Sequence, residues 1–96
     1  MILISIIKIN NNLYKVFLSR RKNKKYDVYK LDNEGNAKYL LSFGDKRYQH
    51  YYDQFGYYNK LNHLDDKRRM NYLKRSGTKN IDNVNSANYW ARNFLW

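Results

Sequence analysis

LYKVFLSRRKNKKYDVYKLDNEGNAKYLLSF, residues 13–43, decides the fold. Its apolar and aromatic residues alternate with polar ones at a period of two. Tyr14, Val16 and Leu18 share one parity, Lys15 lies on the other, and Tyr39, Leu41 and Phe43 repeat the pattern. That period belongs to a half-buried strand, because successive side chains of a strand point to opposite faces. Asp32-Asn33-Glu34-Gly35-Asn36 is turn chemistry, so Tyr26–Leu31 and Tyr39–Phe43 form a hairpin around it. Upstream, Leu13–Arg20 is a strand, and Ile2–Ile9, apolar on both parities, precedes it across the turn tripeptide Asn10-Asn11-Asn12. Four strands with short turns predict an antiparallel β-meander over residues 1–45. Arg20-Arg21-Lys22-Asn23-Lys24-Lys25 then joins strands two and three and puts five cations at one tip.

The pattern changes at Gly44. A short helix broken at Gly56 is one reading of residues 45–59. Asp65–Ser76 is the clearest helix: Asp65 and Asp66 open it, Lys74 and Arg75 close it, and Gly77 stands at C′, all as the helix dipole prefers. At 100° per residue, Lys67, Arg68, Asn71, Lys74 and Arg75 fall within an arc of about 120°, and Met70 and Leu73 fall outside it. Ser86 caps a last helix, Ala87–Trp96, whose Ala87, Trp90, Ala91 and Phe94 share a face. Trp90, Phe94 and Trp96 are expected to close the core. The fold class is α+β, a small antiparallel β-meander followed by two or three helices packed on one face, in a single domain over residues 1–96.

Ninety-six residues supply one small core, which buries about 60–65% of the unfolded surface. Cysteine is absent, which excludes disulfides and thiolate metal sites. The net charge is +11, spread over both halves: nine basic against four acidic residues in 1–45, ten against four in 46–96. A field of that sign favours polyanions, nucleic acid before an anionic membrane face. Fourteen Asn, eleven Tyr and no Pro are also what an AT-rich genome favours, so arginine is the more informative cation. The start, MILISIIKIN, lacks a charged n-region and a cleavage site, so a strand is expected there rather than a signal peptide. It also falls short of the roughly 18 apolar residues that span a bilayer.

His50, Asp53, His63, Asp65 and Asp66 are the residues that suit a metal ion or a nuclease. Their spacing matches no known ligand motif, and Asp65 and Asp66 already serve the helix start, so no metal and no cofactor are expected. His63 reads as a hydrogen-bonded structural residue. No serine stands in a nucleophile elbow and no Gly-rich phosphate loop exists among four scattered glycines, so the chain is expected not to be an enzyme. Tyr14, Tyr39, Tyr72, Tyr89 and both tryptophans are assigned to the core. The cluster Tyr48–Tyr58 has two readings, stacking on bases or filling the helix–sheet seam; small folds favour the seam. The expected nucleic-acid contacts are Arg20, Arg21, Lys22, Lys24 and Lys25 in the loop, with Lys67, Arg68, Lys74 and Arg75 on the helix. Their ordinary alternative is a solvated charged face.

The string Leu18-Ser19, Arg21 through Val28, Phe43-Gly44, Tyr58, His63-Leu64-Asp65, Arg68-Arg69, Tyr72 and Arg75, with Ser86 through Arg92 and Leu95-Trp96, resembles a family. It is a set of uncharacterised small basic proteins encoded by nucleocytoplasmic large DNA viruses, including algal and amoebal giant viruses. The likeness runs along nearly the whole chain. This chain departs from it in extra residues around Tyr48–Phe55 and in stopping at Trp96, where relatives often continue. The resemblance implies a setting rather than a chemistry: the virion, or the viral factory in the host cytoplasm. It also marks His63, Asp65, Tyr72, Trp90 and Trp96 as a structural framework. The expected function is a non-catalytic protein binding nucleic-acid backbone, DNA first, with little sequence preference. Alternatives are a virion structural or assembly protein whose basic face meets an acidic viral protein or lipid headgroups, and a small metal-dependent nuclease.

Overall fold

The computed structural model describes residues 2–77 and 81–96. Four strands, β1 (Ile2–Ile9), β2 (Asn12–Leu18), β3 (Lys24–Leu31) and β4 (Ala37–Asp45), form one antiparallel sheet in the order β1-β2-β3-β4. This is the expected meander. Its turns carry the chemistry that set them: Asn10 and Asn11 both take positive φ (50° and 68°), which asparagine tolerates better than most residues and a tight hairpin requires. Asp32 Oδ1 accepts the Glu34 and Asn36 amides, both at 2.9 Å, to close the β3–β4 turn.

Register decides which face is buried. Val16 lies opposite Val28 and Val28 opposite Leu41, while Tyr26 lies opposite Phe43. These residues, with Tyr14, form the sheet side of the core. Helix α2 (Ala87–Phe94) covers them, with Ser86 accepting the Asn88 amide as its cap. Trp90 is the centre: fully buried, it packs against Tyr14, Phe43 and Phe94 at ring-centroid distances of 5.6, 5.9 and 5.3 Å. Its indole N–H donates to Val84 O at 2.8 Å, so no polar atom of the ring is wasted. Leu95 closes the end of this core. Gly44 stands where the sheet meets it, at φ +76°. A Cβ there would lie 2.8 Å from Lys25 Cδ and 2.9 Å from Leu95 Cδ1, so only glycine fits.

The other helix, α1 (Asp66–Ser76), is capped by Asp65 as expected, but it has no buried residue. Met70, assigned to the inner side with Leu73, is 56% exposed. The side turned to the body carries Arg69, Tyr72, Leu73 and Ser76 instead. Tyr72 stacks on Trp96 (4.1 Å, 6° between planes), and Arg92 Nη1 donates to Ser76 Oγ at 2.8 Å and Gly77 O at 3.1 Å. Two residues, about 200° of helix, separate Tyr72 from Met70. Docking the larger ring therefore swings Met70 to solvent.

Residues 46–64 hold no α-helix, only a 3-10 turn at Asn59–Leu61, so the helical reading of residues 45–59 does not hold. The backbone is committed elsewhere, with the Tyr52 and Gln54 amides donating to Leu95 O and Phe94 O, both at 2.9 Å. The tyrosine cluster divides. Tyr58, with Phe55, packs on Tyr26 and fills the seam, whereas Tyr48, Tyr52 and Tyr57 are exposed. Tyr39 is also a correction: it is 44% exposed, on the sheet face that no helix covers, with Arg21 over its ring at 4.0 Å. No described helix is long and apolar enough to cross a membrane.

Candidate functional site: a basic cleft

Between α1, the start of β3, the end of β4 and the segment after α2 lies a cleft of about 700 Å³. Its apolar wall is Tyr72, Ala91, Leu95 and Trp96, and its polar groups include Tyr48, Gln49 and Asn71. Three exposed cations reach its lining: Lys24 from β3, with Arg68 and Arg75 from α1. The one acid there, Asp45, is already engaged. Arg47 donates to it at 2.7 and 3.0 Å and pulls its carboxyl down to about 2. Arg68 is braced by Gln49 Oε1 at 2.7 Å, and the Arg75 guanidinium lies 5.9 Å from the Tyr72 ring centre. Among the described residues, neither ion pair involves Lys24, Arg68 or Arg75. The result is an aromatic-walled cleft with an uncompensated positive rim.

Lys25 was expected among the loop cations, but it is only 2% exposed. β3 begins at Lys24, so both lysines are strand residues. Lys25 Nζ donates to Tyr48 O at 3.0 Å and to His50 Nδ1 at 2.8 Å. With Nδ1 accepting, His50 is neutral and its Nε2–H donates to Asn62 Oδ1 at 2.6 Å. Burial, then Lys25, holds the His50 pKa down, in agreement with that tautomer. Asn62 Oδ1 also takes the Asp53 amide, and the Asp53 carboxylate accepts the Tyr26 hydroxyl and the Phe55 and Tyr58 amides. Burial lowers the Lys25 pKa to about 8, against the pull of Asp53 and Asp45. Each of these side chains is bonded to another member of the network. It fixes the loop 46–64 to the sheet rather than presenting groups to a ligand.

The remaining expected contacts separate. Arg21 faces the other side of the sheet, over Tyr39 and 3.7 Å from Asp27. Arg20 and Lys22 are exposed beside it and do not line the cleft. Lys67 and Lys74 extend the α1 arc outside the cleft. Of the framework residues, His63, Asp65, Tyr72 and Trp96 meet, while Trp90 lies apart in the core. His63 Nδ1 accepts the Asp65 amide at 3.0 Å, Asp65 caps α1, and the His63 ring lies 5.2 Å from Trp96, which stacks on Tyr72. Burial, then Arg68, lowers the His63 pKa. Among the described residues no three His, Asp or Glu side chains gather as a metal site.

The residues that sequence reasoning missed are Lys25, His50 and Asn62. Their signal was weak: His50 and Asp53 are noticeable, but nothing local pairs them with a lysine two dozen positions upstream. No protein-family profile, no curated protein and no solved structure matches the chain.

Proposed function

We propose that the cleft and the adjoining α1 arc hold the phosphate backbone of a nucleic acid, without covalent chemistry. One observation carries this reading: Lys24, Arg68 and Arg75 converge on one cleft whose one acidic side chain, Asp45, is paired with Arg47. Lys67 and Lys74 lengthen the cationic track along the helix. Phosphates contacted in this way position a strand without reading its sequence, so preference among sequences is small. The resemblance to small basic proteins of large DNA viruses adds a setting, genome handling or packaging, and makes DNA the first polymer to try.

Engaging four to six phosphates gives a slope of log K against log salt of about −3.5 to −5.5 on duplex DNA. Random and AT-rich duplexes bind about equally. Arg68→Glu with Arg75→Glu weakens binding on every sequence and leaves the circular dichroism spectrum unchanged, since both side chains are exposed. Titration of labelled duplex and single strand at two salt concentrations reads all of this. No binding by the parent at low salt ends the proposal and turns the cleft toward an acidic protein partner, as an assembly role requires.

A further inference from the structure

The basic cleft lies at one end of the sheet order and β1 at the other. β1 is an edge strand: β2 pairs with one side of it, and among the described residues no backbone bond outside that ladder involves Ile2–Ile9. Its second row of N–H and C=O groups faces outward. Edges are normally blunted by charges, prolines or bulges. β1 has no proline, a single charge at Lys8, and an irregularity confined to Leu3–Ser5, which leaves Ser5–Ile9 regular. Apolar side chains crowd the same edge: Ile2, Leu3 and Ile6 are 55, 45 and 54% exposed, and Leu13 of β2 is 43% exposed.

We propose that two copies of this chain associate by antiparallel pairing of β1 with β1, joining two four-stranded sheets into one of eight strands. Charge selects the partner and the place. A chain of net charge +11 repels its own kind over most of its surface, yet no side chain of residues 1–7 is charged. Two copies therefore meet with least repulsion along β1. Isoleucine on both parities makes the strand self-complementary on both faces, which a two-fold arrangement demands. Pairing centred on Ile6 sets Lys8 across from Ile4 of the other copy. The two Lys8 then stand about 13 Å apart along the ladder, beyond the roughly 8 Å over which surface charges act at physiological salt.

One strand edge with four apolar side chains falls below the roughly 800 Å² per partner of a standard interface, so the dimer is weak and reversible. Sedimentation equilibrium of the full chain, without nucleic acid, tests it at about 10–300 µM, the range suited to so small a contact. The apparent mass is expected to climb from 11.8 kDa toward double that value as concentration rises. Ile6→Lys and, independently, Leu3→Lys place a cation at the pairing line; each is expected to stay monomeric throughout with a parental circular dichroism spectrum. A parent that remains at 11.8 kDa overturns the proposal. So does folded Ile6→Lys or Leu3→Lys protein that dimerises as the parent does, since the interface then lies elsewhere. Because no nucleic acid is present, the result is independent of the reading of the cleft.

Discussion

α2 starts at the Ser86 cap and lays Trp90 into the sheet, fully buried; α1 starts at the Asp65 cap and buries none of its residues. The two helices obey the same local rules, a side-chain acceptor at the N-cap and a basic residue in the last turn. What differs is how they are held. α2 contributes to the one apolar cluster over Tyr14, Val28 and Phe43, whereas α1 is tethered by the Tyr72–Trp96 stack, by Arg69 donating to Trp96 O at 2.6 Å and by Arg92. Capping and periodicity decide that a segment is helical. The size of the side chains on its inner stripe decides whether it supports the core or rides on it, free to display Arg68 and Arg75.

Breaking that contrast begins at Trp90. Truncating a fully buried tryptophan removes a large apolar area and leaves a cavity, so Trp90→Ala is expected to cost about 3–5 kcal/mol, enough to threaten a small domain. The same truncation at Tyr72, half-buried and stacked on one ring, is expected to cost less than half as much. Urea unfolding of both variants measures the difference. Equal losses would mean that α1 belongs to the core after all.

Lys25 is buried on β3, and its charge sets a second expectation. Its pKa falls from 10.5 in the unfolded chain to about 8 in the folded one. Between those values the unfolded chain holds more protons, so the contribution of Lys25 to stability rises with pH there and is level below about 8. Burial raises the Tyr26 pKa, so tyrosine ionisation in the unfolded chain reverses the gain above about pH 10. The melting temperature of the parent should therefore climb between about pH 8 and 10, on the order of 2 kcal/mol in stability. Lys25→Met should flatten that climb. A parent with no rise over the window would contradict the buried placement of the ammonium.

These contrasts also explain how far the sequence could be read. The strands were legible because Tyr14/Val16 and Leu41/Phe43 repeat at a period of two, and both helix starts because Asp65 and Ser86 are capping residues. Lys25 was not. β3 is a central strand, and Lys25, Tyr26, Asp27 and Val28 are all buried, so parity no longer separates inside from outside. Tyr39 misled because the alternation breaks: it shares parity with Leu41 and Phe43, but the β3–β4 register shifts between Val28 and Tyr29, and Tyr39 falls on the face that no helix covers. Of the candidate site, Arg68 and Arg75 could be placed on one helical arc, and Lys24 could not be joined to them. That junction depends on where α1 docks, which Trp96 decides from twenty-four positions beyond Tyr72.

A smaller effect is expected at the caps. Asp65 accepts the Lys67 and Arg68 amides at 3.0 and 3.2 Å and its negative charge complements the helix dipole. Asp65→Ala should cost about 1 kcal/mol. Because α1 is the less firmly held helix, the loss should appear first as faster amide exchange within α1, while α2 and the sheet keep their protection. Uniform acceleration across both helices would show that they open together.

The smallest effect is the one that tests the orientation of α1 directly. Met70 is 56% exposed, on the opposite side of the helix from Tyr72, and no core residue of the sheet lies over it. Met70→Ala replaces one good helix former by another at an exposed position, so stability should change by no more than about 0.5 kcal/mol. Had the helix docked through Met70 and Leu73, as its apolar residues alone imply, the same substitution would open a cavity and cost about 2–5 kcal/mol. Met70→Lys sharpens the distinction. At 100° per residue Met70 is next to Lys74 and Lys67 on the helix surface, so a lysine there widens the cationic arc without touching the body. Stability within about 0.5 kcal/mol of the parent, together with tighter binding to duplex at low salt, is the expected pair of results. A large loss of stability would place Met70 inside and rotate Arg68 and Arg75 out of the cleft.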